Sequence, residues 1–97
     1  MQSKDEILDI LRRLLPEVQL RYKVQSLMLF GSFARDEQVR ESDVDILVDF
    51  SEGADLFDLT GLGCFLEDVL QRKGDVVSRK AVRKGIAETV FHGAIAV

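Results

Sequence analysis

At 97 residues the chain has room for one modest core, so a single domain over residues 1–97 is expected, with no second lobe. Hydrophobic residues make up 46% and charged residues 31%, and no apolar run is long enough to span a membrane. The N-terminus is polar and acidic, unlike a secretory signal, which makes the cytoplasm the expected compartment. A net charge of −4 argues against broad nucleic-acid binding, while the lone Cys64 and lone His92 exclude an internal disulfide, a zinc cluster and a histidine pair for metal.

Ser3 and Glu6 have the spacing of a capping box, and Ile7, Leu8, Ile10, Leu11, Leu14 and Leu15 recur at helical period, which predicts a helix from Lys4 to about Leu14. Pro16 either ends or kinks it, or sits in the first turn of a short continuation reaching Tyr22. Tyr22 reads as a residue at the edge of the core. Leu27 to Phe30 is a short apolar run bounded by Gly31, the pattern of a buried strand entering a tight turn. Gly31 and Ser32 then offer backbone N–H groups at a helix start, with the Ser32 hydroxyl as its cap, a place suited to phosphate. Phe33-Ala34-Arg35 continues that short helix, with Phe33 inward. Arg35 either contacts substrate or pairs with Asp36 or Glu37 at the surface.

Asp36 to Glu41 is a polar connector, and Ser42 enters a second strand, where it either orients the carboxylates that follow or caps the loop. Asp43 and Asp45 alternate along that strand and so share a face, with Val44, Ile46 and Val48 opposite. Asp49 lies on the carboxylate face too, but four residues of strand put it roughly 13 Å from Asp45, too far for a shared ion. Asp55 is the expected cap of a helix running to about Arg72, buried through Leu56, Leu59, Leu62, Phe65, Leu66, Val69 and Leu70, with Cys64 as a small buried hydrophobe. Gly61 and Gly63 weaken it and mark a close approach by the sheet or by a partner. Gly74 to Ser78 reads as a third strand, and Arg79 to the end as a last helix turning Val82, Ile86, Val90 and Phe91 inward. Its apolar tail, Ala94 to Val97, is expected to dock on the body or on a partner. Six of the thirteen basic residues fall between Arg72 and Lys84, either a solvated surface or a rim that meets triphosphate.

Two adjacent carboxylates repel unless something neutralises them, and their hard oxygens favour magnesium or manganese. A Gly-Ser turn beside such a pair is suited to nucleoside triphosphate chemistry. Average composition would produce Gly-Ser, ten residues and Asp-x-Asp in on the order of one in a thousand chains of this length. Gly31-Ser32, the spacer and Asp43-x-Asp45, with Leu-Phe-Gly-Ser-Phe-Ala-Arg leading in, resemble the signature of the DNA polymerase beta superfamily and its minimal nucleotidyltransferase (MNT) branch. The resemblance covers most of the chain, with two departures. Asp36 stands where members often carry glycine, and Gly74 where they usually carry an apolar residue before a third aspartate, matched here by Asp75.

The resulting expectation is an α/β fold, a small mixed β-sheet packed by helices. The resemblance implies catalytic and metal-ligating roles for Asp43, Asp45 and Asp75. Gly31, Ser32, Arg35 and Ser42 are the candidate nucleotide-binding residues. It further implies ATP as substrate, two Mg2+ ions, and a role as antitoxin that adenylylates a HEPN-type ribonuclease toxin, within a homo- or hetero-oligomer. The rivals are a non-catalytic module acting by steric contact and a transferase for a small molecule. No P-loop, Gly-x-Gly-x-x-Gly fingerprint or serine–histidine pairing competes.

Overall fold

The computed structural model describes residues 3–82, 85 and 91–97. In chain order the elements are α1 (Lys4–Tyr22), β1 (Val24–Phe30), α2 (Gly31–Ala34), β2 (Val44–Phe50), α3 (Leu56–Leu70), β3 (Gly74–Ser78), a 3-10 turn (Arg79–Ala81) and β4 (Ile95–Ala96). The strands form one open mixed sheet in the order β3-β2-β1-β4. β1 runs antiparallel to both its neighbours, and β2 runs parallel to β3, with α3 as the crossover that parallel strands require. No helix among the described residues is long and apolar enough to cross a membrane.

Ser3 caps α1 as expected, the Glu6 amide donating to Ser3 Oγ at 3.2 Å, but the return bond of a full capping box, from the Ser3 amide to the Glu6 side chain, is not made. Pro16 does not end the helix, which runs on to Tyr22 and stops where Lys23 turns left-handed. Proline inside a helix costs about 3 kcal/mol. Beyond it, Val18 is fully buried, a gain of about 1.5–3 kcal/mol, and Tyr22 packs against α3, so the continuation holds. The close approach lies between the two helices, not on the sheet. A Cβ on Gly61 would stand 2.8 Å from Tyr22 Cε1, whereas Gly63 faces open space. Tyr22 and Phe65 meet at 5.9 Å between ring centroids.

One face of the sheet lies beneath α1 and α3, where Ile7, Leu11, Leu27, Leu29, Ile46, Val48, Leu62 and Leu66 are sealed from solvent. Along α3 only Leu62, Leu66 and Leu70 are fully buried. Leu56 (72% exposed), Val69 and Cys64 face solvent, contrary to expectation, because only the i, i+4, i+8 line of this helix meets the sheet. β1 starts at Val24, earlier than its apolar run suggests, since a register shift between Val24 and Ser26 absorbs the polar Gln25.

The expected last helix fails at both described ends. Arg79–Ala81 is a 3-10 turn, and the chain finishes as a strand; Ile86 and Val90 lie outside the described residues. The tail docks on the body: Ile95 and Ala96 pair with Leu29 and Met28, and the Val97 amide donates to the Leu27 carbonyl at 3.0 Å. An edge strand of unpaired backbone groups accounts for this, and Gly93, at φ +81°, makes the turn into it. Phe91, expected inward, stacks edge-on against Phe30 at 4.9 Å.

Candidate active site

β1 ends and β2 begins at the same end of the sheet, and register brings the candidate residues together there. Phe30, the residue before Gly31, lies opposite Asp45; on the other side of β2, Asp45 lies opposite Asp75. Neighbouring strands are about 4.8 Å apart, so these carboxylates start from adjacent backbone positions. Gly74 does not disturb that register. A Cβ there would meet the Val44 carbonyl at 3.5 Å, an ordinary contact. Asp43 falls just before β2 rather than within it, so strand alternation does not fix its direction.

Gly31 is the point of closest approach. Its φ of +74° is left-handed, and a side chain there would collide with the Asp45 carboxylate. The glycine therefore does two jobs, turning the chain out of β1 and leaving room for the carboxylate. The short helix begins at Gly31 itself, with Phe30 in the capping position and no side-chain cap, so Ser32 is not the capping residue expected. The turn is closed by backbone instead: the Glu37 amide donates to the Ser32 carbonyl at 2.9 Å.

Asp45 is partly buried, and its carboxyl pKa is raised, first by that burial and then by the negative charges of Asp75 and Asp43; Arg35 pulls the other way. Of its two alternatives, Arg35 takes the surface one. Its Nε lies 3.4 Å from Glu37 Oε2 at the surface, while its charge reaches Asp45. An exposed pair of that kind is worth at most about 1 kcal/mol, little hindrance to a side chain drawn toward an anion.

Ser42 Oγ accepts from the Val39 amide at 2.9 Å, so it caps the connector and does not touch the carboxylates. Asp36 stands at φ +59°, which explains why glycine is common at that place; aspartate tolerates this region, and its carboxylate pairs with Lys4 at 3.6 Å. Asp49 lies opposite Ser26 at the other end of β2, apart from the cluster. Sequence reasoning missed one contributor. Arg72, which reads there only as part of a basic stretch, reaches the connector and donates to backbone carbonyls beside Asp43. Nothing in its local sequence marks it out, because its partners are thirty residues away.

The donor set consists of carboxylate oxygens alone, with excess negative charge that raises the pKa of its central member. That chemistry fits a hard divalent cation better than zinc or copper. Among the described residues no three acidic side chains already converge on a single point. The shared charge is nevertheless felt at Asp45.

An open mixed sheet with a Gly-Ser turn pressed against a carboxylate cluster defines a class, the nucleotide-handling α/β domains. The chain belongs to the nucleotidyltransferase domain family, whose model matches residues 6–97. It is 37% identical over 97 residues to the protein adenylyltransferase MntA of Thermococcus cleftensis, covering 100% of this chain and 98% of that protein. A solved structure provisionally described as a minimal nucleotidyltransferase superposes with a TM-score of 0.79 at 31% identity, covering 99% of this chain and 95% of the other. A toxin–antitoxin crystal structure with AMP-PNP superposes at 0.69 with 25% identity, covering 98% of this chain and 72% of its counterpart.

Proposed function

We propose that this chain transfers AMP from ATP to a hydroxyl group of a partner protein, acting in the cytoplasm as antitoxin to a HEPN-type ribonuclease toxin. The observation that carries the reading is Asp45 held between Gly31 and Asp75, which sets a triphosphate turn against a metal-ready carboxylate. The name of the Thermococcus relative supports protein adenylylation, and the toxin–antitoxin structure with AMP-PNP supports both the nucleotide and the partner. Gly31 and Ser32 bind the β- and γ-phosphates through backbone N–H groups, and Arg35 swings from Glu37 to add positive charge. Asp43 and Asp45 ligate magnesium, up to two ions, and Ser42 steadies the connector that leads into them. Bound there, magnesium neutralises charge on the phosphates and aligns them. The acceptor hydroxyl oxygen bonds to the α-phosphorus, the bond from that phosphorus to the bridging oxygen breaks, and pyrophosphate departs. Asp75 takes the hydroxyl proton.

Incubation with α-labelled ATP, magnesium and extract containing the partner tests the reading. The expected result is a labelled protein band, lost in the Asp43→Asn, Asp45→Asn double variant. Unchanged Mg-ATP binding by that variant in calorimetry would overturn the site assignment, and a labelled small molecule would replace the protein acceptor.

A further inference from the structure

We propose that Arg72 is a positioning residue for this site, a clamp that sets the Asp43 loop against the Gly31-Ser32 turn. The proposal rests on the reading of Asp43 as a metal ligand. α3 ends at Leu70, and Gln71 turns left-handed (φ 53°), which brings Arg72 back toward the connector. There Nη1 donates to the carbonyls of Arg40 at 2.9 Å and Ser42 at 3.0 Å, the latter directly before Asp43. The guanidinium lies 5.3 Å from the ring centre of Phe33, a fully buried residue directly after Ser32. One planar group therefore touches both halves of the site. Backbone reinforces the join, since the Val44 amide donates to the Lys73 carbonyl at 3.1 Å.

The need for a clamp follows from the unequal support of the carboxylates. Asp45 and Asp75 are held by strand pairing, and Asp43 is not. What fixes Asp43 is the loop before it, and the side chain that ties this loop to α3 is Arg72. Arg72 Nε is buried without a protein acceptor among the described residues, a placement that stability alone would not favour. Lysine would keep the charge but lose the flat face over Phe33 and the rigid geometry of the guanidinium.

Calorimetric titration of ATP across a magnesium series, on Arg72→Lys and Arg72→Gln, reads this directly. The magnesium concentration for half-maximal ATP binding should rise about tenfold, with binding restored at high magnesium, as expected when support for a metal ligand is removed. A merely structural role would lower the amount of competent protein and leave that concentration unchanged, which would overturn the proposal. Should Arg72→Gln fail to fold, Arg72→Lys with hydrogen exchange decides: faster exchange at residues 41–43 relative to Ile46 and Val48 supports the clamp, and parental exchange overturns it. The Asp43→Asn, Asp45→Asn variant separates the two readings. If it keeps parental Mg-ATP affinity, the site reading falls and takes the clamp with it. If it loses that affinity while the Arg72 variants titrate like the parent, the clamp falls alone.

Discussion

The two ends of β2 carry the same residue type in different settings. At the start of the strand, Asp45 is flanked by Asp75 across one strand boundary and by the end of β1 across the other, with Gly31 leaving it room. At the far end, Asp49 has Ser26 across one boundary, and β3 already stops opposite Val48. A cavity of about 300 Å3 past that end, lined by residues such as Phe50, Leu56, Leu59, Ser78 and Lys80, does not include Asp49. Strand alternation puts both aspartates on one face, but only register decides which has charged company. A carboxylate becomes a candidate for chemistry through its neighbours, not through its own face.

The sharpest way to break that comparison is to exchange which end matters. Asp75→Asn should slow adenylyl transfer by about a hundredfold or more while leaving Mg-ATP affinity much closer to the parent, the expectation for a proton acceptor. Asp49→Asn should transfer at the parental rate. Steady-state kinetics on both variants would show the reverse pattern if the third carboxylate had been taken from the wrong strand.

A smaller effect is expected at the close approach. Gly31→Ala places a methyl group against the Asp45 carboxylate at a left-handed backbone position, which should cost about 1–3 kcal/mol of stability and weaken nucleotide binding. Gly53 is also left-handed (φ +90°) but faces open space near the Asp49 end, so Gly53→Ala isolates the backbone part of the cost. Urea unfolding of the pair measures the difference. Equal losses would mean that the carboxylate yields easily and that the crowding at Gly31 is unimportant.

The smallest effect concerns pH in the metal-free protein. A carboxyl whose pKa is raised by folding is stabilising below its unfolded value and loses that contribution as pH rises through the folded value. At neutral pH, Asp45 is therefore charged at a cost, and Asp45→Asn should raise the urea midpoint relative to the parent. That advantage should fade as pH falls into the carboxylate range. Parallel curves at all pH values would show that burial and the Asp75 and Asp43 charges do not raise its pKa.

Much of the fold and of the site is legible in the sequence, for a local reason. Gly31-Ser32 and Asp43-x-Asp45 are short patterns bounded by apolar runs, and Gly74 to Ser78 reads as a strand with the limits it has in the fold. The helix caps at Ser3 and Asp55 are likewise contacts between residues three apart. What misleads is context. Pro16 carries a stop signal that the burial of Val18 outweighs, and Leu56 and Cys64 carry apolar side chains that the sheet does not reach.

The sequence by itself determined the element types from α1 to β3, the family signature and the candidate carboxylates, because periodicity and turn chemistry act over a few residues. Tertiary structure alone decided that Asp75 stands beside Asp45, that the chain ends as a strand along β1, and that Arg72 holds the loop before Asp43. Each depends on residues about thirty or more positions apart. Such pairings are chosen by which surfaces can be buried together and which backbone groups must find partners, and no local spacing records that choice.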